Sequence, residues 1–200
     1  GMQVHNNWLE NAAKYGLNIS DVGSVGASVV EYRAWNNVII GTKLPPIRMN
    51  SSARTMDVTF AYNTLHNAMV SNSGSGNGYF RNEGNGTGAI RAYNNLLSFG
   101  AGTVTGTTWF YDYSGTSSGW SFRSNLYWDA GRGLAAPAAD TMKVVGDPKF
   151  VNAAASDLSL QTDSPAVDKA LQALSFSVVS DISSVVARSV SDIGAYELAK

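Results

Sequence analysis

The chain has no cysteine. That removes disulfides, thiol nucleophiles and sulfur-based metal sites, and leaves the redox compartment open. Charge is sparse as well: only 14% of the 200 residues are Asp, Glu, Lys or Arg, and the net charge is −1. No basic patch is visible, so the electrostatic footprint of a nucleic-acid binder is missing. No apolar run is long enough for a membrane-spanning helix, and no leader pattern opens the sequence. Nor is there a long stretch with the 3.6-residue apolar period of an amphipathic helix, which argues against a helical bundle. With 44% hydrophobic residues the chain is nevertheless well able to bury a core.

What is present is a recurring stretch. Tyr32-Arg-Ala-Trp-Asn-Asn-Val-Ile-Ile40 is echoed by Thr59-Phe-Ala-Tyr-Asn-Thr-Leu-His66, Ile90-Arg-Ala-Tyr-Asn-Asn-Leu-Leu97 and Trp120-Ser-Phe-Arg-Ser-Asn-Leu-Tyr127. A partial copy, Val4-His-Asn-Asn-Trp-Leu9, stands near the start. Taking the second polar residue of each copy as a marker gives Asn7, Asn37, Thr64, Asn95 and Asn125. The near-constant spacing falls in the range that signals stacked repeats.

Each copy is strand-like, built of β-branched and aromatic residues over four to six positions and bounded by Gly, Ser, Asn and Thr. A unit of such short strands buries its inner face only when copies stack. The expected fold is therefore all-β: a single right-handed parallel β-helix with three short strands per coil and about five to six coils. In such a stack the marker asparagines lie above one another and bond amide to amide in a ladder. Residues 1–145 read as coils and 146–200 as the last coil and a C-terminal cap. Ser164-Pro165 within that cap reads as a helix start, serine capping and proline in the first turn. The repeat is already under way at Val4, so the chain reads as the C-terminal part of a longer protein. Its open first coil is expected to be covered by preceding sequence, by strand exchange, or by self-association.

Four motifs follow in order: Gly146-Asp-Pro-Lys-Phe150, Asp157-Leu-Ser-Leu160, Ser164-Pro-Ala-Val-Asp168 and Asp192-Ile-Gly-Ala-Tyr-Glu197. Together they resemble the terminal signature of secreted bacterial right-handed parallel β-helix proteins, which share their fold with pectate lyases. One departure stands in residues 181–188, which lack the glycine of the family's Asp-x-x-Gly-x-x-Arg and run one residue longer. The resemblance implies an extracellular or cell-surface protein and a polysaccharide or oligosaccharide partner. It also implies lyase chemistry on uronate-containing glycans, with Arg or Lys as base and calcium held by acidic residues. The signature is structural, so activity has to be argued from the surface.

If Ala34, Ala61, Ala92 and Phe122 point inward, alternation sends two columns outward. One is Arg33, Phe60, Arg91 and Ser121; the other is Trp35, Tyr62, Tyr93 and Arg123. Aromatic faces lie against sugar rings and arginines pair with uronate carboxylates. The candidate substrate-binding residues are thus Arg33, Trp35, Tyr62, Arg91, Tyr93 and Arg123. In-register aromatics also stabilise a sheet with no ligand at all, and a slip of one residue reverses both columns. Glu31 and Asp57, about one coil apart, form the one acidic pair in the repeats worth considering for a cation. No catalytic residue is assigned. His5 and His66 read as structural or solvated. A non-catalytic structural or adhesin-type solenoid is the alternative to a polysaccharide-active one.

Overall fold

A computed structural model describes residues 1–21, 30–51, 56–68, 77–83, 87–100, 108–112, 119–131, 133–171, 174, 176, 178, 180–183 and 191–198. The segments 71–78 and 100–107, and the departure at 181–188, lie largely outside the described residues. The first coil holds β1 (Met2–His5), β2 (Trp8–Glu10) and β3 (Leu17–Asp21); the second β4 (Val30–Trp35), β5 (Val38–Ile40) and β6 (Ile47–Ser51). The third has β7 (Met56–Ala61), β8 (Thr64–His66) and β9 (Asn77–Asn82), and the fourth β10 (Thr87–Tyr93), β11 (Leu96–Ser98) and β12 (Thr108–Asp112). The fifth begins with β13 (Trp120–Arg123) and β14 (Leu126–Trp128), followed by β15 (Val144–Val145). Every third strand stacks as far as β14, and β15 pairs directly with β14. The first sheet is β1-β4-β7-β10-β13, the second β2-β5-β8-β11-β14-β15 and the third β3-β6-β9-β12. All the pairings within these sheets are parallel. The chain is thus all-β, with three parallel sheets visited in rotation.

The inward rows explain the stacking. In the first sheet Val4, Ala34, Phe60, Ala92 and Phe122 lie in register, small residues separating large ones. Leu9, Ile39, Leu65, Leu97 and Tyr127 line the second. Leu17, Ile47 and Phe80 line the third. These rows meet in one core, where the Phe60 and Phe80 rings sit 5.0 Å apart.

The corner between the first two sheets carries the polar ladder, and here the third marker needs correcting. The ladder residue is Asn63, and Thr64 begins the next strand. Ala34 pairs with Phe60 and Trp35 with Ala61. The corner is entered by a left-handed residue in every coil that shows it: Asn6, Asn36, Tyr62, Asn94 and Ser124, with φ between 51° and 58°. Asparagine tolerates that conformation well; in the third coil tyrosine takes the place, and the sequence comparison slipped by one there.

Each ladder amide does three things. Its Nδ2 donates to Oδ1 of the next rung, as in Asn37 to Asn63 at 2.9 Å, Asn63 to Asn95 at 2.9 Å and Asn95 to Asn125 at 3.0 Å. Its backbone N–H donates to that same oxygen. The second Nδ2 hydrogen reaches back to a carbonyl of the preceding coil: Val4, Ala34, Phe60 and Ala92 accept in turn. Asp140 ends the row. Its carboxylate accepts from Ser124 N–H, Asn125 N–H, Asn125 Nδ2, Tyr127 Oη and Met142 N–H. An acceptor-only group suits a terminus where donors converge.

The C-terminal region departs from expectation in its place. The second sheet is apolar on its outer side too, through Val38, Ile40, Leu96 and Leu126. Described residues of the stretch from 146 to 198 lie along that flank. An antiparallel pair, β16 (Phe150–Asn152) and β17 (Asp157–Leu160), sets Leu158 and Leu160 onto it. Ile193 and Ala195 cover the rest. The segment is a side wall touching successive coils, from Leu126 in the fifth to Glu10 in the first, whose Oε1 accepts from Ser156 Oγ at 2.7 Å. The expected helix at Ser164 is a turn: Ser164 Oγ does accept from Ala166 N–H, but Asp168 adopts φ 58° and its N–H goes to Asp192. Gly194 has φ 103° and presses on the sheet; a Cβ there would come within 2.8 Å of Thr64 Oγ1 and 3.1 Å of Leu96 Cβ.

Asn95→Ala is expected to cost about 3–5 kcal/mol, because it strands the Asn63 donors and the Phe60 carbonyl in the interior. Asn7→Ala, at the half-exposed end, is expected to cost under about 1 kcal/mol. Urea unfolding of both variants checks the difference.

Candidate functional site

The outer side of the first sheet holds five of the six residues proposed to bind substrate. Arg33, Thr59, Arg91 and Ser121 form one outward row, and Trp35, Ala61, Tyr93 and Arg123 the next. Tyr62 is not among them: it occupies the corner and is buried. Phe60, expected outward, lies in the core. The shift of one residue puts small Thr59 and Ala61 on β7, between the larger side chains of β4 and β10. The two rows thus outline a trough with Arg33 and Trp35 on one side and Arg91 and Tyr93 on the other, its floor of Thr59 and Ala61 buried beneath them.

The trough is knitted by polar and aromatic contacts. Glu31 accepts from Arg33 Nε at 2.9 Å and meets Nη2 at 2.8 Å. Asp57 accepts from Ala89 N–H at 2.9 Å and lies 3.9 Å from Arg91 Nη2. Tyr93 Oη donates to Ser121 Oγ at 3.1 Å. Trp35 stacks on His5 with centroids 4.3 Å apart and planes 10° apart. Phe176, from the C-terminal segment, packs on Trp35 at 5.2 Å and lies 5.0 Å beneath the Arg33 guanidinium. Arg123 projects into solvent at the far end.

Glu31 and Asp57 are register partners on adjacent strands, so the sequence brought the right pair together. They do not fit calcium. Two carboxylates, each already facing an arginine, fall short of the six to eight oxygens that ion takes. Among the described residues no group of three or more His, Asp or Glu side chains could hold a metal ion.

Two surface features were not drawn from the sequence. On the third sheet Arg48 donates to Glu83 through Nε at 2.7 Å, with a second contact from Nη2, and to Asn18 Oδ1 at 3.2 Å. Arg81 Nε meets the other Glu83 oxygen at 2.6 Å, and Tyr15 stands 5.2 Å under the Arg48 guanidinium. The Glu83 hydrogen bond pushes the Arg48 pKa further up. The register that pairs Asn18, Arg48 and Arg81 was available, had the third strands been aligned as the first were.

The second feature is a cleft of about 610 Å³ between the end of the second sheet and the side wall, lined by His66, Trp128, Asp147, Lys149, Phe150 and Gln161 among others. Lys149 is tied to Asp163. His66 is buried, with Nδ1 2.7 Å from Ser98 Oγ and its ring edge-on to Phe150 at 5.2 Å. Burial pulls its pKa from 6.5 down to about 4, so the ring is neutral in the folded chain.

No protein-family model, curated protein or solved structure matches the chain.

The His66 shift makes stability depend on pH. Between about pH 6.5 and 4 the unfolded chain binds a proton at this ring and the folded chain does not. Stability therefore falls as pH drops through that window, by about 3 kcal/mol in full. His66→Gln is expected to lose correspondingly less stability than the parent over the same range, measured by urea unfolding at stepped pH.

Proposed function

We propose that the stacked sheets form a right-handed parallel β-helix of the secreted bacterial, pectate-lyase-like kind, and that the chain is a carbohydrate-binding module. The observation that carries this reading is the trough on the first sheet. Arginines and aromatics stand in register on both walls, two strands apart and so separated by about 10 Å, with small side chains between. Guanidinium forks suit uronate carboxylates, and the Tyr93 ring suits a sugar ring, while Trp35, stacked on His5 and packed by Phe176, stiffens its wall. Solenoid faces of this kind bind extended polymers. An extracellular or cell-surface setting goes with that partner.

The acidic residues favour binding without cleavage. Glu31 and Asp57 each face an arginine, Arg33 and Arg91, which leaves neither acid as a free metal ligand. Arg123, at the far end, is exposed. A lyase acting on uronate-containing glycans is the second reading, and the arginine-rich wall is what speaks for it.

The test is a panel of anionic and neutral polysaccharides, with and without calcium, read by affinity electrophoresis and by the absorbance of unsaturated products. Retention by a uronate polymer without product is the expected result. Arg91→Ala and Tyr93→Ala should each weaken retention about 10-fold, and Arg48→Ala, on the third sheet, should leave it unchanged. Absence of binding across the panel would overturn the proposal, and product formation would move it to the lyase.

A further inference from the structure

One outer row of the second sheet changes character along the stack. Glu10, Ile40, His66, Ser98 and Trp128 are successive register partners on β2, β5, β8, β11 and β14. Ile40 packs in one cluster with Leu158 and Ala195 of the side wall. From His66 onward the row is polar or aromatic, and there the wall stands away to leave the cleft of about 610 Å³. That volume is in the range of small-molecule sites. A flank that needed only cover would carry aliphatic residues here, as it does at Ile40. Instead His66 lines the cleft as a polar group only 6% exposed. Its ring is fixed from two sides, by Ser98 Oγ 2.7 Å from Nδ1 and by Phe150 edge-on at 5.2 Å. Nε2 is the nitrogen left for the cleft, and it has no partner among the described residues. Burial keeps the imidazole neutral down to about pH 4.

We propose that this cleft is a second binding site, for a short neutral sugar whose ring lies against Trp128 and whose hydroxyls bond His66 Nε2, Gln161 Oε1 and Asp147 Oδ2. The His66–Ser98 pair selects the ligand chemistry. When Ser98 Oγ donates to Nδ1, Nε2 carries the hydrogen and donates; when Nδ1 donates to Ser98 Oγ, Nε2 accepts. A hydroxyl also donates and accepts, so either tautomer finds its match. Trp128, half-buried, gives the cleft an aromatic wall. Gln161 uses Nε2 on Phe150 O at 2.8 Å and keeps Oε1, and Asp147 accepts from Lys149 N–H at 2.9 Å through Oδ1 and keeps Oδ2. Charge argues against an ionic ligand. The lining holds Asp147 and Asp163 against Lys149, which is paired with Asp163. The carboxylates disfavour an anion and the ammonium a second cation. All three sit toward solvent, where charges are screened, while the buried group that fixes orientation is neutral. The inference does not rest on the trough, which lies on another sheet and is walled by arginines.

The chain's two histidines are separate reporters. His66 lines the cleft, and His5 stacks on Trp35 beside the trough. Carbon-edited proton NMR of the imidazoles, with His66→Gln to assign the signals, is recorded against glucose, galactose, mannose, xylose and their disaccharides at millimolar concentration. At least one of these sugars should move the His66 signals saturably and leave His5 in place. Gln161→Ala, at an exposed position, and Trp128→Ala should each weaken that response about 10-fold. Arg91→Ala, in the trough, should leave it unchanged, so that failure of one site is told from failure of the other. Galacturonate and methylammonium, the anionic and cationic probes, should not move His66 at the same concentrations. A panel that leaves His66 unmoved, a sugar that moves only His5, a charged probe that moves His66 at lower concentration than any sugar, or full affinity in both variants would each overturn the proposal.

Discussion

The structure depends on keeping a column of amides dry and fully bonded. The corner between the first and second sheets is closed to water: Asn37, Asn63, Asn95 and Asn125 are all buried. An unmatched polar group there would cost about 1–3 kcal/mol, so each rung has to arrive in register with the last. That requirement transmits order along the axis. It fixes which residues face inward in both flanking strands, because a slip of one would turn a strand over. The left-handed residue that enters each corner and the apolar rows on either side follow from the same constraint.

A second constraint comes from the three-residue strands. Val38-Ile39-Ile40 and Leu96-Leu97 do not alternate; they are apolar on both sides. A strand of that kind needs cover on two faces. The core covers one, and described residues of the C-terminal wall, among them Leu158, Leu160, Ile193 and Ala195, cover the other. The motifs of this region are the means of attachment. Asp192 accepts from Asp168 N–H and Leu198 N–H, Ser164 Oγ donates to Pro148 O, and Asn94 exchanges two hydrogen bonds with the Leu171 backbone. With most of the second sheet walled off, the outer sides of the first and third sheets carry the trough and the Arg48–Glu83–Arg81 cluster, and the cleft beside His66 is what the wall leaves open on the second.

The stacking period, the strands and the polar corner were legible because they repeat. A pattern seen five times survives one irregular copy. The third coil is that copy. Its corner reads Tyr62-Asn63 where three of the others have paired asparagines and the fifth has Ser124-Asn125, and the loss of one position moved Phe60 inward and Tyr62 off the surface. Arg33, Trp35, Arg91, Tyr93 and Arg123 kept their places because their own coils are regular. Asp140 was not legible: it follows the previous rung by 15 residues, where the others follow by 26 to 32, and it is not an asparagine. The side wall was missed for another reason. The motifs told that residues 146–200 belong to the stack, but whether they close its end or its flank depends on the doubly apolar strands of the second sheet, far away in sequence.

The contact of Gly194 with Thr64 and Leu96 has a consequence for how the molecule is made. Residues 191–198 are made after all the coils they cover, yet they sit on the middle coils. The coils can stack as they emerge, but the greasy flank of the second sheet is not fully covered until residues 191–198 have followed. Throughout that interval it is open to other nascent chains, and a chaperone that shields apolar surface would find its client there.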